Sequence, residues 1–175
     1  MKNICVFLSA TQVPEKYLGP AKEFARLLAE RKFNLVWGGS DKGLMKVVAD
    51  EVKKYGGYLI SVTIPLVQQS LKKDSDEVVI GKDLSDRKKI MAEKSDAFVV
   101  LVGGIGSLDE VTELLELKKH RLHDKPIIFL NTAGFYNGLK TQLEKMEQEG
   151  FLPRKLSELV VFASTPEEVM LKLVK

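Results

Sequence analysis

Short apolar runs and amphipathic stretches alternate along the whole chain. The runs "ICVFL" (4–8), "NLVW" (34–37), "YLISV" (58–62), "AFVVLV" (97–102), "PIIFL" (126–130) and "LVVF" (159–162) are rich in β-branched and aromatic residues and predict strands. "EVVI" (77–80) is a weaker run of the same kind. Most of these runs are apolar at every position rather than at every second one, as in strands covered on both faces. Between them, apolar residues recur every three or four positions, the helical period. Tyr17, Ala21, Phe24 and Leu28 form one such stripe; Leu44, Val47 and Val48 a second; Leu108, Val111 and Leu115 a third. Segments 134–150 and 165–174 predict two more helices, the last with Thr165 as N-cap, Pro166 behind it and Glu168 at the third helical position. The polar stretch "QQSLKKDSDE" (68–77) predicts a surface loop. Strands alternating with helices imply a parallel sheet with right-handed crossovers. The expected architecture is therefore a Rossmann-like, doubly wound α/β fold with helices on both faces, one domain spanning residues 1–175.

Composition narrows the partners. With 175 residues the chain is long enough for one full core, and its 45% apolar and 29% charged residues are ordinary for a globular protein. The net charge of +3 is spread over interleaved acids and bases, so no basic tract points to nucleic acid. No apolar run approaches the roughly 20 residues of a membrane span. The opening "NICVFLSA" is too short and too β-like for a secretory leader, which makes a cytoplasmic protein the expectation. Cys5 lies inside the first strand and is expected to be a small buried hydrophobe.

The chemistry gathers at strand ends. A doubly wound sheet binds ligands beyond the carboxyl ends of its strands, where the strand order reverses. Three such ends carry small residues: "LSAT" (8–11), "GGSDKG" (38–43) and "GGIGS" (103–107), each followed by a helix. Gly103, Gly104 and Gly106, with Ile105 and Ser107 between and after them, let backbone N–H groups reach a ligand, and the helix adds its positive end. A phosphate is the natural guest; the plainer alternative is a tight turn with no ligand. Ser9, Gly38, Gly39 and Ser40 flank the same region. Neither the dinucleotide fingerprint nor the Walker signature is present. Downstream, Asp109 complements the helix dipole. Glu110 and Glu113 fall at the edge of the apolar stripe, where a carboxylate suits general-base or hydroxyl-binding work, a solvated helix face being the alternative. In segment 84–98, Leu84, Met91 and Ser95 define one helix face, with Arg87 and Lys88 flanking it on either side. A guanidinium so close to a buried stripe calls for an anionic or polar partner, a long stem that snorkels to solvent being the alternative. This helix must run antiparallel to strand 97–102, bringing Arg87 and Glu110 to one place.

Taken together, these motifs resemble the Lonely guy phosphoribohydrolases, a family long labelled as possible lysine decarboxylases. The family's Pro-Gly-Gly-x-Gly-Thr-x-x-Glu reads here as Val102 to Glu110. Its Arg-Lys-x-x-Met helix reads as Arg87-Lys88-Lys89-Ile90-Met91, and its Gly-Gly-Gly-x-x-Gly-Leu-Met-Gly stretch as residues 38–46. The resemblance covers roughly residues 3–152. It implies hydrolysis of the N-glycosidic bond of a purine nucleoside 5′-monophosphate, AMP or an N6-prenylated cytokinin nucleotide, to free base and ribose 5-phosphate. Arg87 and Glu110 match the family's catalytic pair. The other matching positions, Ser9, Gly38, Gly39, Ser40, Lys88, Met91, Gly103, Gly104, Ile105, Gly106, Ser107 and Glu113, would bind the nucleotide. The resemblance implies no metal and no organic cofactor. It also implies a homodimer in which the helix "VTELLELKKH" meets its twin, with Leu117 a contact. Four departures stand out: Val102 for Pro, Ser107 for Thr, Ser40 for the third Gly, and Lys46 for the Gly after Leu-Met. The loop after the first strand, Leu8-Ser9-Ala10-Thr11, also differs from the family's Cys-Gly-Ser-Ser. Ser9 and Ser40 add atoms where backbone should meet ligand. A non-catalytic carrier of a nucleotide or of molybdenum cofactor, on the same fold, is the alternative function.

Overall fold

A computed structural model describes residues 2–174. Seven strands form one sheet: β1 (Asn3–Phe7), β2 (Asn34–Trp37), β3 (Leu59–Thr63), β4 (Glu77–Ile80), β5 (Ala97–Val100), β6 (Ile127–Leu130) and β7 (Val161–Ala163). All adjacent pairs are parallel, and the order is β4-β3-β2-β1-β5-β6-β7. The chain builds outward from β1 to β4, then returns to lay β5 against the other side of β1. The reversal point is therefore the cleft between β1 and β5, at their carboxyl ends.

Successive side chains of a strand point to opposite faces, and here both faces are covered. Ile4, Val6 and Leu8 pack beneath α1 (Leu18–Glu30), α2 (Gly43–Lys54) and α7 (Pro166–Leu173). Cys5 and Phe7 pack on the other face, with residues of α3 (Leu84–Lys94) and α4 (Ile105–Lys119) and of α5 (Asn137–Gln148) and α6 (Leu156–Leu159). This two-sided burial is why the strands read as continuous apolar runs. Cys5 is buried, as its place in β1 requires. At the edge, β4 has a single neighbour, and its Val78 and Ile80 stay exposed. The pattern of "EVVI" is weak for that reason.

The structure redraws several boundaries. β5 stops at Val100; Leu101 and Val102 lie past its end but stay buried and bonded to β1 and its turn, the Leu101 amide donating to the Phe7 carbonyl at 2.9 Å and the Val102 carbonyl accepting the Ser9 amide at 3.1 Å. The run 159–162 is divided: Leu159 closes α6, and only Val161 and Phe162 enter β7. Helix α3 ends at Lys94, where the Ser95 hydroxyl donates to the Met91 carbonyl at 2.7 Å. Leu84, expected on its buried face, is exposed because it sits in the first turn, beyond the sheet. The stretch 68–77 is not a plain surface loop: it begins in a 3-10 turn, and Lys72 within it is buried. The expected cap of α7 is present, with Thr165 accepting the Glu168 amide, and α3 has one as well, Asp83 accepting the Asp86 amide. Neither α2 nor α4 has a side-chain cap.

Candidate functional site

Arg87 sits one turn into α3, and its side chain runs back across the ends of the central strands. Its Nε donates to the Val62 carbonyl of β3 at 2.9 Å, and Nη1 donates to Glu110 Oε1 at 3.2 Å. Between these anchors the guanidinium lies over the turn that follows β2. A Cβ at Gly38 would stand 2.1 Å from Arg87 Nη2, so no residue but glycine leaves the guanidinium this seat. One side chain thus joins β3, the β2 turn and α4, spanning the switch point.

Glu110 reaches the same place from the second turn of α4, and only 13% of its side chain is exposed. Burial pushes its carboxyl up to about 7; Arg87 pulls against that shift and neighbouring Asp109 adds to it. A carboxyl held near neutrality can take up or release a proton under ordinary conditions. Lys88, next along α3, bridges to Asp109 at 3.1 Å and to Glu113 at 2.5 Å. These ion pairs hold α3 to α4 around Arg87 and Glu110.

Above the pair lies a cavity of about 320 Å³, walled by the turns after β1, β2 and β5. Ser9, Thr11, Gly38, Met45, Gly104 and Ser107 are among its lining residues. The start of α4 forms its floor. The amides of Ile105, Gly106 and Ser107 donate to no protein acceptor among the described residues, as expected of an uncapped first turn. A Cβ on Gly104 or on Gly106 would meet nothing within 4 Å. The fold does not need glycine there: both positions line the cavity and open onto free space. Free amides, a helix N-terminus and open space together make a seat for an anion.

The expected residues divide on inspection. Arg87, Glu110, Ser9, Gly38, Gly104, Gly106 and Ser107 all line this cavity. Gly103 supports it from below, since a Cβ there would lie 2.2 Å from Ser107 Oγ. Ile105 projects outward and is 82% exposed. Lys88 and Glu113 instead line an adjoining groove of about 680 Å³ between α3 and α4, which shares Phe7 and Glu110 with the first cavity. Met91 lines neither; it is buried in the core against the sheet. Gly39 and Ser40 face away, toward Leu71, with which Ser40 forms an antiparallel bridge. Lys46 also turns outward, to Asp41 at 3.2 Å and Asp50 at 3.1 Å. Two of the four departures thus leave the cavity untouched. A third, Val102, fills the core below it. Sequence reasoning missed Thr11 and Met45, which reach the cavity only because the turn after β1 caps α2. No lysine lines the cavity among the described residues, and these residues contain no cluster of His, Cys, Asp and Glu suited to a metal ion. No helix is long and apolar enough to cross a membrane among the described residues.

Fold and site define a class: a Rossmann-like α/β protein with an uncapped, glycine-flanked helix start and a buried Arg–Glu pair at its switch point. Comparison with known proteins gives the family. A family model described as possible lysine decarboxylase matches residues 45–173. Probable cytokinin riboside 5′-monophosphate phosphoribohydrolase LOGL2 of Oryza sativa subsp. japonica is 36% identical over 98% of this chain and 72% of its own length. Cytokinin riboside 5′-monophosphate phosphoribohydrolase LOG5 of Arabidopsis thaliana is 35% identical over 98% of this chain and 77% of its own. The chain belongs to this Lonely guy family. Among solved structures, the Moco carrier protein of Chlamydomonas reinhardtii superposes with a TM-score of 0.75 at 22% identity, over 99% of this chain and 95% of that one, a likeness of fold.

Proposed function

We propose that this protein is a phosphoribohydrolase that cleaves the N-glycosidic bond of a purine nucleoside 5′-monophosphate. The observation that carries the reading is the uncapped start of α4, with Gly104 and Gly106 facing empty space, directly beside the Arg87–Glu110 pair. Membership of a family whose named relatives are cytokinin riboside 5′-monophosphate phosphoribohydrolases supports it. The 5′-phosphate takes the free amides of Ile105 to Ser107, with the Ser9 and Ser107 hydroxyls in reach of its oxygens. The ribose then lies toward Glu110. As the C1′–N bond breaks, its electron pair leaves with the base, and positive charge spreads over C1′ and the ring oxygen. The Glu110 carboxylate stabilises that charge and accepts a proton from the water that adds to C1′; the proton then passes to the departing base. Arg87 holds Glu110 in place and favours its ionised form against the pull of burial. Decarboxylation, the chemistry in the family model's description, would call on a Schiff-base lysine, and the lysine-free lining gives it no support.

Incubation with a panel of nucleoside monophosphates, AMP and its N6-prenylated form among them, tests the reading. Release of ribose 5-phosphate is expected, and nucleosides without the phosphate are expected to bind far more weakly than AMP by calorimetry. Tight binding of monophosphates with no product would make the protein a carrier instead. The assembly belongs to the same reading: the groove between α3 and α4, with Leu117 inside it and Leu122 exposed at its side, takes the α4 face of a second copy. Sedimentation at micromolar concentration is expected to give twice the 19.6 kDa chain mass.

A further inference from the structure

Lys72 is the anomaly outside the site. It lies in the most polar stretch of the chain, yet its side chain is only 6% exposed, and three carboxylates converge on its ammonium: Asp50 at 2.5 Å, Asp74 at 3.1 Å and Asp41 at 3.5 Å. Buried lysines are uncommon because desolvating the ammonium is costly unless it is paired. These partners come from different places. Asp50 is on α2, Asp41 follows β2, and Asp74 lies in the segment between β3 and β4. The ammonium therefore pins that segment to the β2–α2 turn.

The pinned backbone leads straight to the site. Lys72 N donates to the Gly39 carbonyl at 2.8 Å, and Asp41 N donates to the Ser70 carbonyl at 2.7 Å, around the Ser40–Leu71 bridge. This two-bond clip seats Leu71 over Gly39, whose φ is +78°; a Cβ there would lie 2.7 Å from Leu71 Cδ1. Gly39 follows Gly38, the floor under the Arg87 guanidinium. Shifting 70–72 thus shifts the floor, and the floor sets how far Arg87 extends toward Glu110.

We propose that Lys72 is a positioning residue for Arg87: by tying the 70–72 clip to α2 it fixes the Gly38–Gly39 turn and so holds the guanidinium against Glu110. The proposal deepens the hydrolase reading and rests on it only for the consequence in turnover. The charged and titratable groups around Glu110 are Arg87 and Lys88 from α3, Asp109 on its own helix and the Cys5 thiol from β1. Lys72 is not among them, so its influence on Glu110 runs through the backbone it ties down and the Arg87 side chain seated there.

Two readouts are independent of catalysis. In protein labelled with carbon-13 and nitrogen-15, NMR follows the titration of the Glu110 carboxyl and the solvent exchange of the Arg87 Nε–H bonded to Val62. In Lys72→Met the Glu110 midpoint is expected to rise by roughly half a pH unit or more, as the opposing cation recedes. Exchange at Nε should quicken about tenfold as local opening becomes easier. Lys72→Arg should restore both. A Lys72→Met protein with a lower melting temperature but wild-type midpoint and exchange would overturn the proposal, leaving Lys72 a purely structural residue. If Lys72→Met does not fold, Asp50→Asn loosens the same ammonium from a half-exposed partner and is judged by the same readouts. If wild-type protein hydrolyses no monophosphate, both measurements still decide the role of Lys72. If it does, kcat should fall about tenfold in Lys72→Met while KM for AMP changes little.

Discussion

Helices α2 and α4 begin alike: each follows a central strand, each is preceded by a glycine pair, and neither has a side-chain cap. Their first turns end up opposite. At α2 the turn after β1 closes the helix: Thr11 and Ser9 place their carbonyls on the amides of Leu44 and Met45, both at 3.1 Å. At Gly43, φ is +54° and a Cβ would stand 2.2 Å from the Thr11 carbonyl oxygen, so this glycine is consumed by packing. At α4 the first amides are free, and a Cβ on Gly104 or Gly106 meets open space. Two glycine-rich turns thus serve different ends. One joins two loops into a wall; the other leaves open space in the cavity beside Glu110. The difference lies in which neighbouring loop reaches the helix end, and only the assembled sheet decides that.

Four substitutions or measurements put this contrast under strain. Glu110→Gln carries the largest effect: turnover should drop by about 10² to 10³, the range for losing one electrostatic group at a reacting centre. AMP affinity should stay within about twofold by calorimetry, because the anion seat is the helix end rather than the carboxylate. Wild-type turnover in this variant would remove Glu110 from the chemistry. Gly43→Ala comes next. It forces a side chain into a left-handed backbone and against Thr11, so thermal or urea unfolding should show a loss of about 2 to 4 kcal/mol. Gly106→Ala should do the reverse. Alanine in a helix is favoured over glycine by up to about 1 kcal/mol, so the fold should gain slightly, while the methyl enters the cavity and weakens monophosphate binding about tenfold. If Gly43→Ala and Gly106→Ala behaved alike in both assays, the distinction between closed and open turns would fail.

The smallest effect concerns pH and stability. The Glu110 carboxyl is raised from an ordinary 4.5 to about 7 in the folded protein, so the folded state holds its proton more tightly than the unfolded chain does. Its contribution to stability is then fully present below about 4.5 and is lost as pH rises through about 7. Glu110→Gln abolishes that loss. Denaturant unfolding of the two proteins should diverge between these pH values in favour of the glutamine variant. The gap should reach about 1 kcal/mol at neutrality, because losing the ionic contact with Arg87 offsets part of the gain. A gap that did not change with pH would show that the carboxyl titrates as it does in water.

Much of this was legible in the chain itself. Strands such as 97–100 announce themselves because both faces are buried, and β4 is faint because Val78 and Ile80 sit at an open edge. The Arg87–Glu110 meeting follows from a helix that must return antiparallel to β5. What escaped reading was anything that depends on the reach of a loop. Met91, which the resemblance implied as a nucleotide-binding position, instead follows the buried stripe of α3 into the core, as the helical period alone indicated. Ser40 looked like an obstruction and is a bridge to Leu71. Lys72 was invisible within a polar run, because its three carboxylate partners lie between 2 and 31 positions away and converge only after folding.

The sheet's connectivity also bears on how the molecule comes to exist. Every one of its six strand pairings is parallel, so none can form as a local hairpin, and each waits for a crossover to close. Such topologies fold slowly, since chain entropy is lost before distant contacts return any energy. The cavity lining runs from Val6 to Glu110, so every residue that lines it is synthesised before β6 and β7. At that stage β5 is an unprotected edge, with Phe98 and Val100 open to any passing strand. The last third of the sequence, which contributes nothing to the cavity lining, covers that edge with β6 and so guards the nascent protein against aggregation.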